Sequence, residues 1–240
     1  PNGLDILGSP GPCRMTLFSL IIALLIEQLR PLPAARVVQA PLKMFARFLE
    51  DRFNDGDARH GAVAWWVAIL SACLVTALIY FLLLSLHPLL GVVFNVLVLY
   101  LTMGFRQVSH FFTDIQLALR MGELPRARQL IGEWRGASHD QSGSSEVARL
   151  AIEEALLASH RNVFGVVVWF VLLPGPIAAV LYRMAACFDE AWGQRRDEQQ
   201  FGDFGDFARK AFGALDWVPV RLTAAAFSIV GDFEDGIHCW

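Results

Sequence analysis

The sequence predicts an all-α fold: a polytopic helical integral membrane protein with a cytoplasmic helical middle segment. Three observations carry that prediction. Hydrophobic residues make up 55% of the 240-residue chain and charged residues only 18%, against about 25% charged in an ordinary soluble domain, and mean hydropathy is +0.45. Residues 61–105 and 162–182 contain no Asp, Glu, Lys or Arg. The segments that flank these runs are rich in arginine, the arrangement expected of apolar spans separated by water-facing loops.

The elements follow in order. Residues 1–14, PNGLDILGSPGPCR, are rich in Gly and Pro without hydrophobic periodicity, and are expected to be a non-native or disordered leader ahead of a native start at Met15. Residues 15–29 read as a first apolar span, an uncleaved anchor, because Glu27 and Gln28 end it without a small-residue cleavage site. Residues 30–60 carry Arg30, Arg36, Lys43, Arg47, Arg52 and Arg59, which favours the cytoplasm.

The 61–105 run is about twice the roughly 20 residues that cross a bilayer. It breaks once, at Leu86-His87-Pro88, where proline ends a helix. A transmembrane hairpin with spans 62–86 and 89–103 is expected, with Trp65, Trp66, Tyr80 and Tyr100 as interfacial aromatics. Residues 106–161 read as a cytoplasmic helical insert. Phe111, Phe112, Ile115 and Leu119 recur at helical spacing, a break falls at Gly122-Glu123-Leu124-Pro125, and a serine-rich loop precedes a helix near Glu146.

A further apolar stretch, 163–181, is interrupted by Pro174-Gly175-Pro176. Two models fit: one continuous span, or a re-entrant hairpin bent at the prolines that keeps Arg183, Arg195, Arg196, Arg209 and Lys210 inside. Residues 215–230 are expected to form an interfacial or inserted helix.

The net charge of −3 gives no footprint for nucleic acid. The four cysteines and six histidines show no metal-ligand spacing, and nucleotide, zincin and hydrolase motifs are absent. Glu146, Arg149, Glu153 and His160 share one helical face, which reads as a solvated stripe or as a polar wall at the membrane surface. Arg183 lies where the fourth stretch leaves its apolar core, with Asp189 six residues on. It either snorkels to headgroups or binds a phosphate or carboxylate. Arg221 has the same two readings, with Asp216 available as an internal partner.

Several segments in order carry a resemblance. They are GELPRAR at 122–128, EVARLAIE at 146–153, Trp169 ahead of LPGPIAAVLYR at 173–183, FDEAWGQRRDE at 188–198 and FGDFARKAFGALDWVPVRLTA at 204–224. Together with the N-terminal helix they make the chain similar to the CobD/CbiB family of cobalamin-biosynthesis membrane proteins, including its AmpE branch, over nearly all of 15–240. The resemblance implies a multi-pass protein of the bacterial inner membrane, with the lipid bilayer and a corrinoid as partners. In the synthase branch it implies amide formation between adenosylcobyric acid and an aminopropanol unit, with a nucleoside triphosphate and magnesium as cofactors. Glu153 and Asp189 would then be the catalytic carboxylates, and Arg183 and Arg221 the substrate-binding arginines. Acids of the family pattern are missing after Glu154 and at 210–213, and the family continues past the position of Trp240. The alternative is therefore an AmpE-like, non-catalytic regulator of β-lactamase induction, and the chain is expected to be a fragment.

Overall fold

The computed structural model describes residues 12–29, 38, 40–54, 57–103, 105–136, 141–173, 175–193 and 203–230, and among them all regular structure is helical. The expected leader therefore lies largely outside the described residues, as does much of the serine-rich loop. Helix α1 (Pro12–Leu29) is apolar, and α2 (Ala40–Phe53) follows it. Asp57 then caps α3 (Ala58–Leu86) by accepting the Arg59 amide at 3.1 Å, satisfying one of the donors a helix start leaves open.

His87 performs two roles at the expected break. Its backbone amide closes the end of α3 onto Leu83, and its Nδ1 accepts the Leu89 amide at 3.1 Å to open α4 (Pro88–Thr102). Pro88 sits in the first turn of α4, where its missing amide costs nothing. Gly91 lies against the Leu84 side chain, the close approach that brings α3 and α4 together. The two helices expected over 62–86 and 89–103 thus form a helical hairpin, at Ala58–Leu86 and Pro88–Thr102.

The buried residues of α3 are Gly61, Ala64, Trp65, Ala68 and Ile69, all in its first half. Beyond them Leu70, Leu74, Leu78, Phe81, Leu82 and Leu86 are exposed. The α3–α4 hairpin is therefore anchored at its base and bare and apolar along its outer length. Trp65, expected at the interface, turns inward against Phe207 at a ring separation of 5.4 Å, while its neighbour Trp66 stays exposed.

The middle segment forms its own core. Helices α5 (Phe105–Arg120), α6 (Leu124–Arg135) and α7 (Ser144–Ser159) bury Ile115, Ala118, Ala127, Ile131, Val147, Leu150 and Ala151 together. Gly122 and Gly136, both at positive φ, make the turns on either side of α6, and Arg128 Nε donates to the Ser142 carbonyl at 2.7 Å across the second connection.

From α7 the chain passes without a break through a π-helical turn (His160–Phe164) into α8 (Gly165–Leu172). The expected boundary between insert and fourth span therefore falls inside one 29-residue helix, Ser144–Leu172. The helix ends at the prolines, where Gly175 takes φ 143°, open only to glycine. The following α9 (Pro176–Phe188) returns along α8 as an antiparallel partner. A second π-helical turn (Asp189–Gly193) follows, and α10 (Asp206–Val230) closes the fold. It begins well before Leu215, and Pro219 lies in its interior, where it removes one backbone hydrogen bond.

Helix α9 is the centre of the larger core. Ala179, Tyr182, Ala185 and Phe188 pack with Ala64 and Ala68 of α3, Leu99 of α4, Val166 and Phe170 of α8, and Phe212 of α10. The small residues let helix axes approach closely. By length and composition, α3 and the helix Ser144–Leu172 are able to cross a membrane, and Thr16–Glu27 and α4 are shorter apolar helices. This all-helical architecture is consistent with a membrane protein.

Candidate functional site

Where α2, the α5–α7 core and the α7–α9 hairpin meet, the chain encloses an open cavity of about 580 Å³. Its polar lining comes from five separate elements: Lys43 of α2, Glu133 and Arg135 of α6, Glu154 of α7, Arg161 and Asn162 of the first π turn, and Arg183 of α9. Glu190 of the second π turn completes it, and Phe111, Trp134 and Leu157 supply apolar wall. Phe111 stacks on Trp134 at 5.6 Å.

The charges are mostly spoken for. Lys43 Nζ meets Glu190 Oε1 at 2.9 Å, Arg135 Nε lies 3.7 Å from Glu154, and Arg161 lies 3.7 Å from Asp189. Arg161 also sits over the Phe212 ring at 5.4 Å, a cation–π distance. Arg183 differs from the other three. It donates from Nη1 to the side-chain oxygen of Asn162, a neutral partner, and its buried Nε has no acceptor. Among the described residues no carboxylate is within ion-pair distance of it. Part of the side chain opens to the cavity while the surrounding protein desolvates the guanidinium, and that burial holds its pKa below the ordinary value. Glu190 on the same cavity opposes that shift but is paired with Lys43; a buried cation without a direct counter-ion is costly, and the cavity is where an anion can supply one.

Two neighbours of Arg183 are tuned by burial as well. The Cys187 thiol, on the cavity wall, is pushed up to about 11, so it is protonated near neutrality. The Asp189 carboxyl is raised above its ordinary 3.8 by burial, against the opposing pull of Arg161 and Arg209. Asp189 is buried against Arg161 and Gly193 rather than facing the cavity; a Cβ at 193 would lie 2.6 Å from its Oδ1.

Behind the cavity wall a second polar group ties α10 to the hairpin. Tyr182 donates its hydroxyl to Asp216 Oδ1 at 2.7 Å, and His160 Nε2 meets the same oxygen at 2.9 Å. An ionised carboxylate only accepts, so Nε2 carries the proton. His160 Nδ1 lies 3.1 Å from Thr223 Oγ1. Trp169 Nε1 donates to the Leu215 carbonyl at 3.1 Å on the same helix. Tyr182 comes so close to α8 that a Cβ on Gly165 would lie 2.1 Å from its hydroxyl oxygen.

The residues read from sequence are thus distributed. Arg183 lines the cavity and Asp189 touches it only through Arg161. Glu153 lies beside the cavity, half-exposed and 3.9 Å from Arg135. Arg221 stands away, exposed and stacked on Trp217 at 3.9 Å; Asp216 serves His160 and Tyr182 instead of it. Sequence reasoning missed Lys43, Arg135, Glu154 and Glu190, which come from distant segments with no shared local pattern. It treated Arg161 only as a topology marker.

No solved structure matches the chain significantly. It is 32% identical over 207 residues to "Cobalamin biosynthesis protein CobD" of Stutzerimonas stutzeri, covering 83% of this chain and 66% of that relative. To the protein of the same name from Chromobacterium violaceum it is 33% identical over 153 residues, covering 64% and 48%. To that of Brucella anthropi it is 24% identical over 228 residues, covering 90% and 68%. The chain spans between about half and two thirds of the length of the first two. Nothing in the cavity or in these names speaks for the regulatory AmpE branch. The family model for the CobD/Cbib protein matches residues 12–240, and the chain belongs to that family.

Proposed function

We propose that this chain is the membrane-embedded body of a cobalamin biosynthesis protein that forms an amide bond between adenosylcobyric acid and an aminopropanol unit, with the cavity around Arg183 as the substrate site. The observation that carries this reading is the uncompensated guanidinium of Arg183 in an open cavity. Both substrates offer it a partner: corrin side-chain carboxylates, or the phosphate of a phosphorylated aminopropanol. Arg161 and Lys43 extend the positive wall. Glu154 is the cavity carboxylate placed to take the proton that the amine nitrogen sheds as it bonds to the acyl carbon. It takes this role in preference to Glu153, which lies outside the lining.

A synthase of this kind would use a nucleoside triphosphate with magnesium, which supplies activation of the carboxylate. The described residues contain no grouping of three metal-ligating side chains, and Glu190, Glu154 and Glu133 are already engaged by Lys43, Arg135 and Gln129. They do not make a magnesium site by themselves, and no step is routed through one.

The same reading places the protein in the bacterial inner membrane as a multi-pass chain, with α1, α3 and α4 crossing and α8–α9 re-entrant. Arg161 and Leu172 are eleven residues apart, about 17 Å of helix at 1.5 Å per residue. That is well short of about 30 Å of hydrocarbon, so a hairpin with Arg161 and Arg183 near the surface turns back within the bilayer. The α5–α7 core then lies on the cytoplasmic side with the cavity beneath it.

Complementation of a bacterium lacking adenosylcobinamide-phosphate synthase, with the full-length gene, tests the activity. Rescue by the wild type and its loss in Arg183→Ala and Glu154→Gln are expected. No rescue despite confirmed membrane expression overturns it. A reporter fused after Asp189 should be cytoplasmic; periplasmic activity would refute the re-entrant turn.

A further inference from the structure

We infer that α2 is an in-plane membrane-surface helix that binds anionic phospholipid headgroups, and that it carries one wall of the cavity on the bilayer surface.

The helix has three faces. Ala46 and Leu49 are buried, with Leu42 and Phe53 packed beside them against the larger core. A second face bears Met44, Phe45 and Phe48, exposed by 71%, 38% and 64%. The third face carries exposed Lys43 and Arg47 with half-buried Glu50, while exposed Asp51 and Arg52 follow the apolar stripe on its last turn. A water-facing helix gains nothing from a bare Phe–Met stripe. A spanning helix does not carry this density of charge in 14 residues. Apolar side chains on one side and Lys/Arg flanking them are the chemistry of a helix lying at the headgroup–acyl boundary.

Its position in the fold agrees. Only a short connection separates Phe53 from Ala58, so α2 ends at the base of α3, where the apolar belt begins with exposed Val63, Trp66 and Val67. An exposed tryptophan at that level marks the interface. Among the described residues Arg47 and Arg52 make no ion pair, which leaves them for lipid phosphates at an anionic surface. On the next turn Lys43 reaches Glu190 across the cavity mouth. The lipid that seats α2 therefore also sets one edge of the site.

The test uses the full chain in proteoliposomes of one part phosphatidylglycerol to two parts phosphatidylcholine, with its native cysteines replaced. A nitroxide attached at Phe48→Cys should be more accessible to oxygen than to a water-soluble nickel complex, and one at Lys43→Cys, on the opposite side of the helix, the reverse. Arg47→Glu with Arg52→Glu should abolish the difference at position 48 while thermal stability in detergent is unchanged. Omitting phosphatidylglycerol should weaken the difference severalfold in the wild-type background. Nickel-dominated access at position 48 overturns the inference. So does oxygen-dominated access that ignores both lipid charge and the arginines, or access that changes with protein density, the sign of a protein partner or a second copy. None of these readouts depends on amide synthesis, so failure of the proposed activity would leave the result standing.

Discussion

The Tyr182 hydroxyl and the Asp216 carboxylate, 2.7 Å apart, join the returning arm of the α8–α9 hairpin to α10. His160 meets the same oxygen from the outgoing arm, so one carboxylate holds three elements. Removing Tyr182's single donor as Tyr182→Phe should cost about 1 kcal/mol. Asp216→Ala strands both donors in a half-buried site and should cost more, on the order of 1–3 kcal/mol for each stranded group. Thermal unfolding in detergent, followed by circular dichroism, reads both. Equal losses would mean His160 does not depend on Asp216.

Gly165 gives a steric test of the same junction. A Cβ there would lie 2.1 Å from the Tyr182 oxygen and 2.2 Å from its ring. Gly165→Ala should therefore destabilise the fold by about 1–3 kcal/mol, the usual cost of overpacking a close contact. The double variant Gly165→Ala with Tyr182→Ala should recover part of the Gly165→Ala loss relative to Tyr182→Ala alone. An additive double variant would show that the two helices do not meet there.

Asp189 predicts a pH dependence of uncommon sign. Its folded pKa lies above the ordinary 3.8 because burial disfavours the anion more than Arg161 favours it. The folded state therefore binds the proton more tightly than the unfolded chain. That stabilising contribution is fully present below 3.8 and is lost as pH rises through the folded value. Asp189→Asn has no such titration. The wild type should thus lose stability relative to Asp189→Asn as pH climbs from the acid range toward neutral. A difference that grows in the wild type's favour instead would show the Arg161 contact dominating.

Arg183 should oppose stability and binding to each other. Arg183→Met removes an uncompensated buried guanidinium, so the unliganded variant should melt no lower than the wild type. Stabilisation by added adenosylcobyric acid should fall with at least about a tenfold loss of affinity, about 1.4 kcal/mol. Arg183→Lys should recover less than half of that, since a point charge does not reproduce the planar fork. A liganded melting temperature that is the same in all three would remove Arg183 from the site.

The parts of this fold that were legible in the sequence are those written in one local stretch. Leu86-His87-Pro88 announces its own turn, because proline and a capping histidine act within two residues of themselves. Ile115 and Leu119 fall on the core side of α5 as their spacing requires, while Phe111 is diverted by the cavity to stack on Trp134. Helix α2 was not legible as a helix, because its arginines mark topology and its three faces blur any two-way apolar pattern. The π turn at His160–Phe164 was invisible too. It rotates the helix so that His160, expected on the face of Glu153, joins α10 instead. The cavity is the extreme case, since Lys43 and Glu190 are brought together across 147 positions.

Every residue that α3 buries lies in its first half, from Gly61 to Ile69. On the membrane reading proposed above, the exposed outer turns of α3, past Ala72 and Cys73 that still pack on the core, face lipid. They can lengthen, shorten or tilt to match bilayers of different thickness, at fractions of a kcal/mol per ångström, without moving a side chain of the cavity. The protein thus separates its fit to a particular membrane from its chemistry. On that reading, a cell that changes its acyl-chain length would place selection on exposed positions such as Leu74, Leu78, Phe81 and Leu82 and leave the site untouched.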